Sequence, residues 1–203
     1  MRARSFSVAA PVVFAVGLLF LGDAARIHCK AWLGHRLIEH AWSQLRQGQV
    51  STRPWPWADT WPVARLEVPD LGVERFVLAG AVGNTLAWGP GHLAGSAPVG
   101  AAGNAVIGGH RDTHFAFLEV LPLGAEIRAE DEHGRIHVYQ VVDRFVTHDR
   151  DASVLVETLY PRLTLVTCWP FGAAIPGGNL RYVVVAEQVG PGGPSESVMR
   201  SEA

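Results

Sequence analysis

From residue 63 onward the apolar residues recur at every second position in short runs, and most of these runs close on Gly, Pro or Asp. A period of two is that of a strand with one face buried, so this part of the chain is constrained to be mostly β. Residues 63–68 (Val-Ala-Arg-Leu-Glu-Val) and 73–78 flank the turn Pro69-Asp70-Leu71-Gly72 and predict a hairpin. Further strands are expected at 104–109, 126–129, 135–146, 163–168 and 180–185, with Asp131-Glu132-His133-Gly134 joining two of them. Residues 115–121 read as a short helix, and 80–103, rich in Gly, Pro and Ala, as a long loop with room for one helical turn. Seven or eight short strands with few helices imply a closed or nearly closed β-barrel. With 48% apolar residues, the ~135 residues from 54 to 188 suffice for one core, and a single domain is expected over 63–189.

The segments before the barrel have a different character. Residues 5–22 carry no charge and would span ~27 Å as a helix, enough to cross a bilayer core. A cleaved signal is the competing reading, because Arg2 and Arg4 make a basic start and Gly22, Ala24 and Ala25 are small. The apolar stretch is long for a signal, so residues 1–22 are read as an uncleaved anchor. Over 23–47, Ala25, Cys29, Trp32, Leu33, Leu37, Ala41 and Leu45 recur at steps of three and four, which predicts an amphipathic helix. Its stripe either lies at the lipid interface, with Trp32 and Trp42 there, or packs on the domain. Basic residues flank the anchor on both sides, so charge does not orient it. Residues 48–62, with three prolines and three tryptophans, read as an ordered strap, and 190–203 as a disordered tail. A net charge of -2 without like-charge runs gives no sign of a nucleic-acid partner, and no phosphate-cradling glycine motif is present.

Two cysteines, Cys29 and Cys168, are too few for a disulfide framework. Cys168 ends the strand Leu-Thr-Leu-Val-Thr-Cys just before Trp169-Pro170, His110 follows the 104–109 strand, and Arg181 opens the strand after the cysteine. Were 163–168 and 180–185 to pair antiparallel, Cys168 and Arg181 would have Cβ atoms ~5 Å apart. An unperturbed thiol is only ~3% thiolate at pH 7, so a nucleophilic cysteine needs positive charge beside it, and His110 and Arg181 are able to supply it. The bland alternative is a buried structural cysteine. Arg111 rivals Arg181, but adjacent strand residues face opposite ways. His92, His110 and His114 raise a metal site, yet no helix holds their spacing, and no metal or other cofactor is expected. Asp112 either orients His110 or serves a turn, and His133, His137 and His148 read as ordinary surface or strand residues.

These elements resemble the sortase family. The run 164–168 (Thr-Leu-Val-Thr-Cys) is similar to the sortase signature, Gly109-His110-Arg111 to its histidine element, and Arg181 falls where sortases place an arginine. Residues 54–60 (Pro-Trp-Pro-Trp-Ala-Asp-Thr), 89–92 (Gly-Pro-Gly-His), 108–115 (Gly-Gly-His-Arg-Asp-Thr-His-Phe) and 167–171 (Thr-Cys-Trp-Pro-Phe) resemble the sortase type of Gram-negative bacteria in particular. The resemblance implies an eight-stranded barrel behind a single membrane helix, on the periplasmic side of the inner membrane. It implies a cysteine transpeptidase that cuts a signal like Leu-Pro-any-Thr-Gly after the Thr in an exported protein and transfers the acyl group to an amine. Cys168, His110 and Arg181 would be catalytic. Thr167, Val154, Leu155 and Trp169 would meet the substrate, although residues 154–156 equally suit a core, and Asp112 and His92 would stand behind the catalytic groups. A cysteine hydrolase on the same scaffold, and an inactive or metal-binding tether, remain the alternatives.

Overall fold

Eight strands close into a barrel in a computed structural model, which describes residues 5–49, 52–173 and 177–190. The expected tail beyond residue 190, residues 50–51 of the strap and 174–176 of the loop before Arg181 lie outside the described residues. Strands β1 (Pro62–Val68) and β2 (Val73–Ala79) form the expected hairpin. Its turn closes on Gly72, whose φ of 59° is open to glycine and whose N–H donates to Pro69 O at 3.1 Å.

The other strands are β3 (Gly91–His92), β4 (Gly103–Gly108), β5 (Glu126–Asp131), β6 (Ile136–His148), β7 (Pro161–Cys168) and β8 (Leu180–Gln188). Around the barrel they run β1-β2-β3-β4-β7-β8-β6-β5, and β5 pairs back to β1. Strand β3 falls in the segment expected to be a loop, where the expected helical turn also forms as α1 (Thr85–Trp88). Two residues carry no period, so β3 is invisible to patterning. It still completes the barrel by pairing parallel to β2 and antiparallel to β4. A Cβ on Gly91 would lie 2.1 Å from Gly80 O, so this bridging strand needs glycine.

Inside the barrel, Leu66, Ile107, Leu118, Ile127, Leu163, Leu165 and Val184 are fully buried around Phe115 and Tyr139. Each such side chain contributes ~1.5–3 kcal/mol by leaving water. The Tyr139 hydroxyl accepts from Gly100 N at 2.9 Å, and burial pushes its pKa up to about 12, so it stays neutral. Because Leu163 and Leu165 face inward, strand alternation turns Thr164, Val166 and Cys168 outward.

Ahead of the barrel one helix runs from Ser5 to Arg46, and the chain divides after Leu37 into two units. In the first, Val13, Phe14, Leu19 and Phe20 are exposed on a helix long and apolar enough to cross a membrane. In the second, Ile38 and Trp42 pack on Phe76 and Leu78 of β2, with Trp55 and Trp88 alongside. Trp42, a candidate for the lipid interface, is therefore buried against the barrel, its ring 6.2 Å from that of Phe76. Trp32 and Leu33 of the same stripe are exposed. Of the strap's tryptophans, Trp55 meets Trp88 at 4.9 Å, while Trp57 stands in solvent.

Candidate active site

Strand register assembles the candidate residues. On the antiparallel β7–β8 ladder Cys168 is paired directly with Arg181, as the hairpin-like reading of these two strands requires. On the parallel β4–β7 ladder Gly108 is paired with Val166, and the next N–H, of Gly109, still donates to Val166 O at 3.1 Å. Two residues further along each chain stand His110, just past the end of β4, and Cys168, the last residue of β7. The three residues thus lie at the same end of the barrel, Cys168 and Arg181 half-buried and His110 exposed.

The backbone that carries His110 is held tightly. Thr167 Oγ1 donates to Gly109 O at 2.8 Å, and the N–H of Phe115 donates to His110 O at 3.0 Å, which docks the turn through the buried Phe115 ring. A Cβ on Gly109 would meet that ring at 2.7 Å, so the close approach needs glycine here. The His110 ring, by contrast, makes no hydrogen bond among the described residues, and neither does the Cys168 thiol. Arg181 Nη1 donates to Gly178 O at 2.7 Å and Leu180 O at 2.9 Å, and Nη2 lies 3.6 Å from Asp149. The guanidinium is anchored by its own loop through Nη1.

The remaining candidates separate. Thr167 is buried and committed to Gly109. Trp169 stacks on Tyr182 at 5.6 Å and meets Phe171 edge-on at 5.7 Å. Its backbone N–H donates to Leu180 O at 3.0 Å and is thereby engaged. Val154 and Leu155 lie on the single 3-10 turn Ala152–Leu155, which Asn104 Nδ2 ties to the sheet through Val154 O at 3.0 Å. Val154 lines a cavity of about 540 Å³ together with Asn104, Thr164, Val185 and Arg162, on the same outward face as Cys168. Leu155 is exposed. His92 Nε2 donates to Ala97 O at 2.8 Å and lies 3.1 Å from Ser96 Oγ, so the ring serves its own loop. Among the described residues no cluster of three His, Cys, Asp or Glu side chains is placed to hold a metal.

Two features were not legible beforehand. Arg111 is only 5% exposed: Nε and Nη2 grip both oxygens of Asp112 at 2.7 and 2.9 Å, and Nη1 and Nη2 reach Pro170 O at 2.5 Å and Ala173 O at 3.0 Å. The fork from Arg111 holds the Asp112 carboxyl below its ordinary value, with the charges of Arg111 and His110 adding to the effect. The second feature is Asp149, which faces Arg181 from the loop after β6.

A thiol, an imidazole and a guanidinium stand at the rim of a closed eight-stranded barrel, the groups that cysteine-dependent acyl transfer can use. The description Sortase domain matches residues 66–189, more than half of the chain, and the chain belongs to the sortase family. Sortase D of Bacillus subtilis (strain 168) is 28% identical over 125 residues, 61% of this chain and 62% of its own length, so the chain spans under two thirds of that curated relative. A Clostridium perfringens Sortase D5 transpeptidase superposes with a TM-score of 0.64 at 23% identity, over 78% of this chain and 99% of that one, a likeness of fold. The catalytic domain of B. anthracis SrtD superposes with a TM-score of 0.55 at 30% identity, over 64% and 88% of the two chains. The closed barrel expected from the sequence is the fold these proteins share.

Proposed function

We propose that this chain is a membrane-anchored cysteine transpeptidase that cleaves a signal of the Leu-Pro-any-Thr-Gly type in an exported protein and passes it to an amine. The observation that carries the reading is the register: Cys168 opposite Arg181 on one ladder, His110 two residues beyond the end of the other. Cys168 Sγ attacks the carbonyl carbon of the Thr, and the negative oxygen that forms is met by Arg181, whose removal costs ~10²-fold or more if it serves as an oxyanion donor. His110, as imidazolium, gives its proton to the departing amine as the C–N bond breaks, leaving a thioester on Cys168. The neutral imidazole then takes the proton of the incoming amine as it displaces the sulfur. Water in place of the amine makes the same site a hydrolase. The peptide would lie along the outward face of β4, β7 and β8 toward the cavity at Asn104 and Val154.

The Gram-negative subtype belongs to this proposal and rests on the motifs at 54–60, 89–92, 108–115 and 167–171. So do the placement of the barrel on the periplasmic side of the inner membrane and the partners, an exported substrate and an amine acceptor.

The test incubates the detergent-solubilised full chain with a Leu-Pro-any-Thr-Gly peptide, with and without an added amine, and reads enzyme and products by mass spectrometry. An acyl adduct on Cys168, lost in Cys168→Ala, with peptide joined to the amine, is expected. Hydrolysed peptide alone would convert the reading to a hydrolase, and no adduct under either condition would overturn it.

A further inference from the structure

Arg111 stands next to His110 in sequence, yet its guanidinium does not face the open site. It sits in the gap between two connections: the turn that follows β4, and the loop that follows Cys168 and leads to β8. Four of its five N–H groups are used, two on the adjacent Asp112 and two on the carbonyls of Pro170 and Ala173. Pro170 is the second residue after Cys168 and has no N–H of its own to hold the loop. In the loop's first five residues, the backbone bond of Trp169 N to Leu180 O is joined only by these two side-chain bonds among the described hydrogen bonds. A buried guanidinium is costly unless fully paired, and here the pairing is supplied by both segments that carry the reacting groups.

Among the described residues the His110 ring has no hydrogen-bond partner to fix its distance from the sulfur, so that distance is set by the backbone on either side. Before His110 the backbone is stitched to β7 through Gly109; after it, among the described residues, the hydrogen bonds to the segment beyond Cys168 come from Arg111. We propose that Arg111, preset by its fork onto Asp112, is a positioning residue that sets the His110 imidazole at the distance from Cys168 at which it protonates the leaving amine. Arg111 touches neither substrate nor sulfur in this role, which distinguishes it from Arg181. The inference rests on the assignment of Cys168 and His110 as nucleophile and acid.

A change of leaving group separates positioning from simple support of the fold. An amide must be protonated to leave, whereas an activated aryl ester departs as an anion and needs no acid. In the full chain, Arg111→Lys keeps the charge and the approximate length but cannot grip Asp112 and two carbonyls together. Single-turnover acylation of Cys168 is measured with the sorting-type peptide as an amide and as an aryl ester of its Thr carboxyl. The wild type is expected to be acylated by both. In Arg111→Lys the amide rate is expected to fall about 10- to 100-fold, the loss that ~1 Å of misplacement brings. The ester rate should fall at least tenfold less, with KM nearly unchanged. Equal losses for the two substrates, or no loss for the amide, would overturn the inference while leaving the enzyme reading intact. A wild type that neither substrate acylates would overturn both. Should Arg111→Lys not fold, Asp112→Asn, which loosens the fork but leaves both loop carbonyls paired, decides in the same way through a several-fold gap between amide and ester.

Discussion

Asp131, Arg135 and His137 at the β5–β6 turn are the same three residue types as Asp112, Arg111 and His110 after β4, and the two sets are wired in opposite ways. Asp131 accepts from the backbone of His133 and Arg135, from Arg135 Nε at 2.7 Å and from His137 Nε2 at 3.1 Å. The His137 ring is further closed in by Gly100, where a Cβ would lie 2.2 Å away. Every group at that turn is consumed in holding the hairpin. After β4 the arginine takes both carboxylate oxygens, and the histidine ring has no hydrogen bond among the described residues. A reactive site is recognised here less by which residues gather than by which of them are left unsatisfied.

The largest effect that would break this comparison is the exchange of the two histidines' roles. His110→Ala is expected to lower acyl transfer by ~10²- to 10⁴-fold with an unchanged melting temperature. His137→Ala should leave the rate per folded molecule intact and lower stability by about 1–3 kcal/mol, the cost of one hydrogen bond to a carboxylate that keeps its bonds from His133 and Arg135. Steady-state assays and thermal melts on the two variants check it, and a His137 variant that loses activity while remaining folded would erase the distinction.

A smaller effect sharpens it through pH. Burial alone would raise the Asp131 carboxyl, but bonds from His137 and Arg135 outweigh it and bring the pKa down to about 2. A lowered folded-state pKa means stability that is whole above the ordinary carboxylate value near 4 and is lost as pH falls toward 2. The contribution is about 2 kcal/mol. Urea melts between pH 5 and 2 should therefore show a decline that Asp131→Asn flattens, whereas Asp112→Asn, at a 61% exposed side chain, should change it far less.

The barrel was largely legible because seven of its strands are short alternating or continuous apolar runs, most of them bounded by turn residues. Hairpin β1–β2 and the opposition of Cys168 and Arg181 followed from pattern and order alone. What escaped is what depends on chain segments distant in sequence. Strand β3 is two residues long and exists only because β2 and β4 flank it. Arg111 was judged by strand alternation, but β4 ends at Gly108 and the residue sits in a turn, where alternation does not apply. Its partners are 59 and 62 residues away. Trp42 read equally well as facing lipid or protein, because a helical stripe states that a face is apolar and not what covers it.

The most direct test compares the two thiols of one molecule. Cys29 is exposed on the N-terminal helix and Cys168 is half-buried at the barrel rim, so access alone would favour Cys29. The full chain is treated with limiting iodoacetamide at pH 7 and the two sites are followed by peptide mass spectrometry, in the wild type and in His110→Ala. The account predicts that Cys168 is modified much faster than Cys29 and that the advantage collapses without His110. A Cys168 that reacts no faster than Cys29, or whose rate is indifferent to His110, would contradict it.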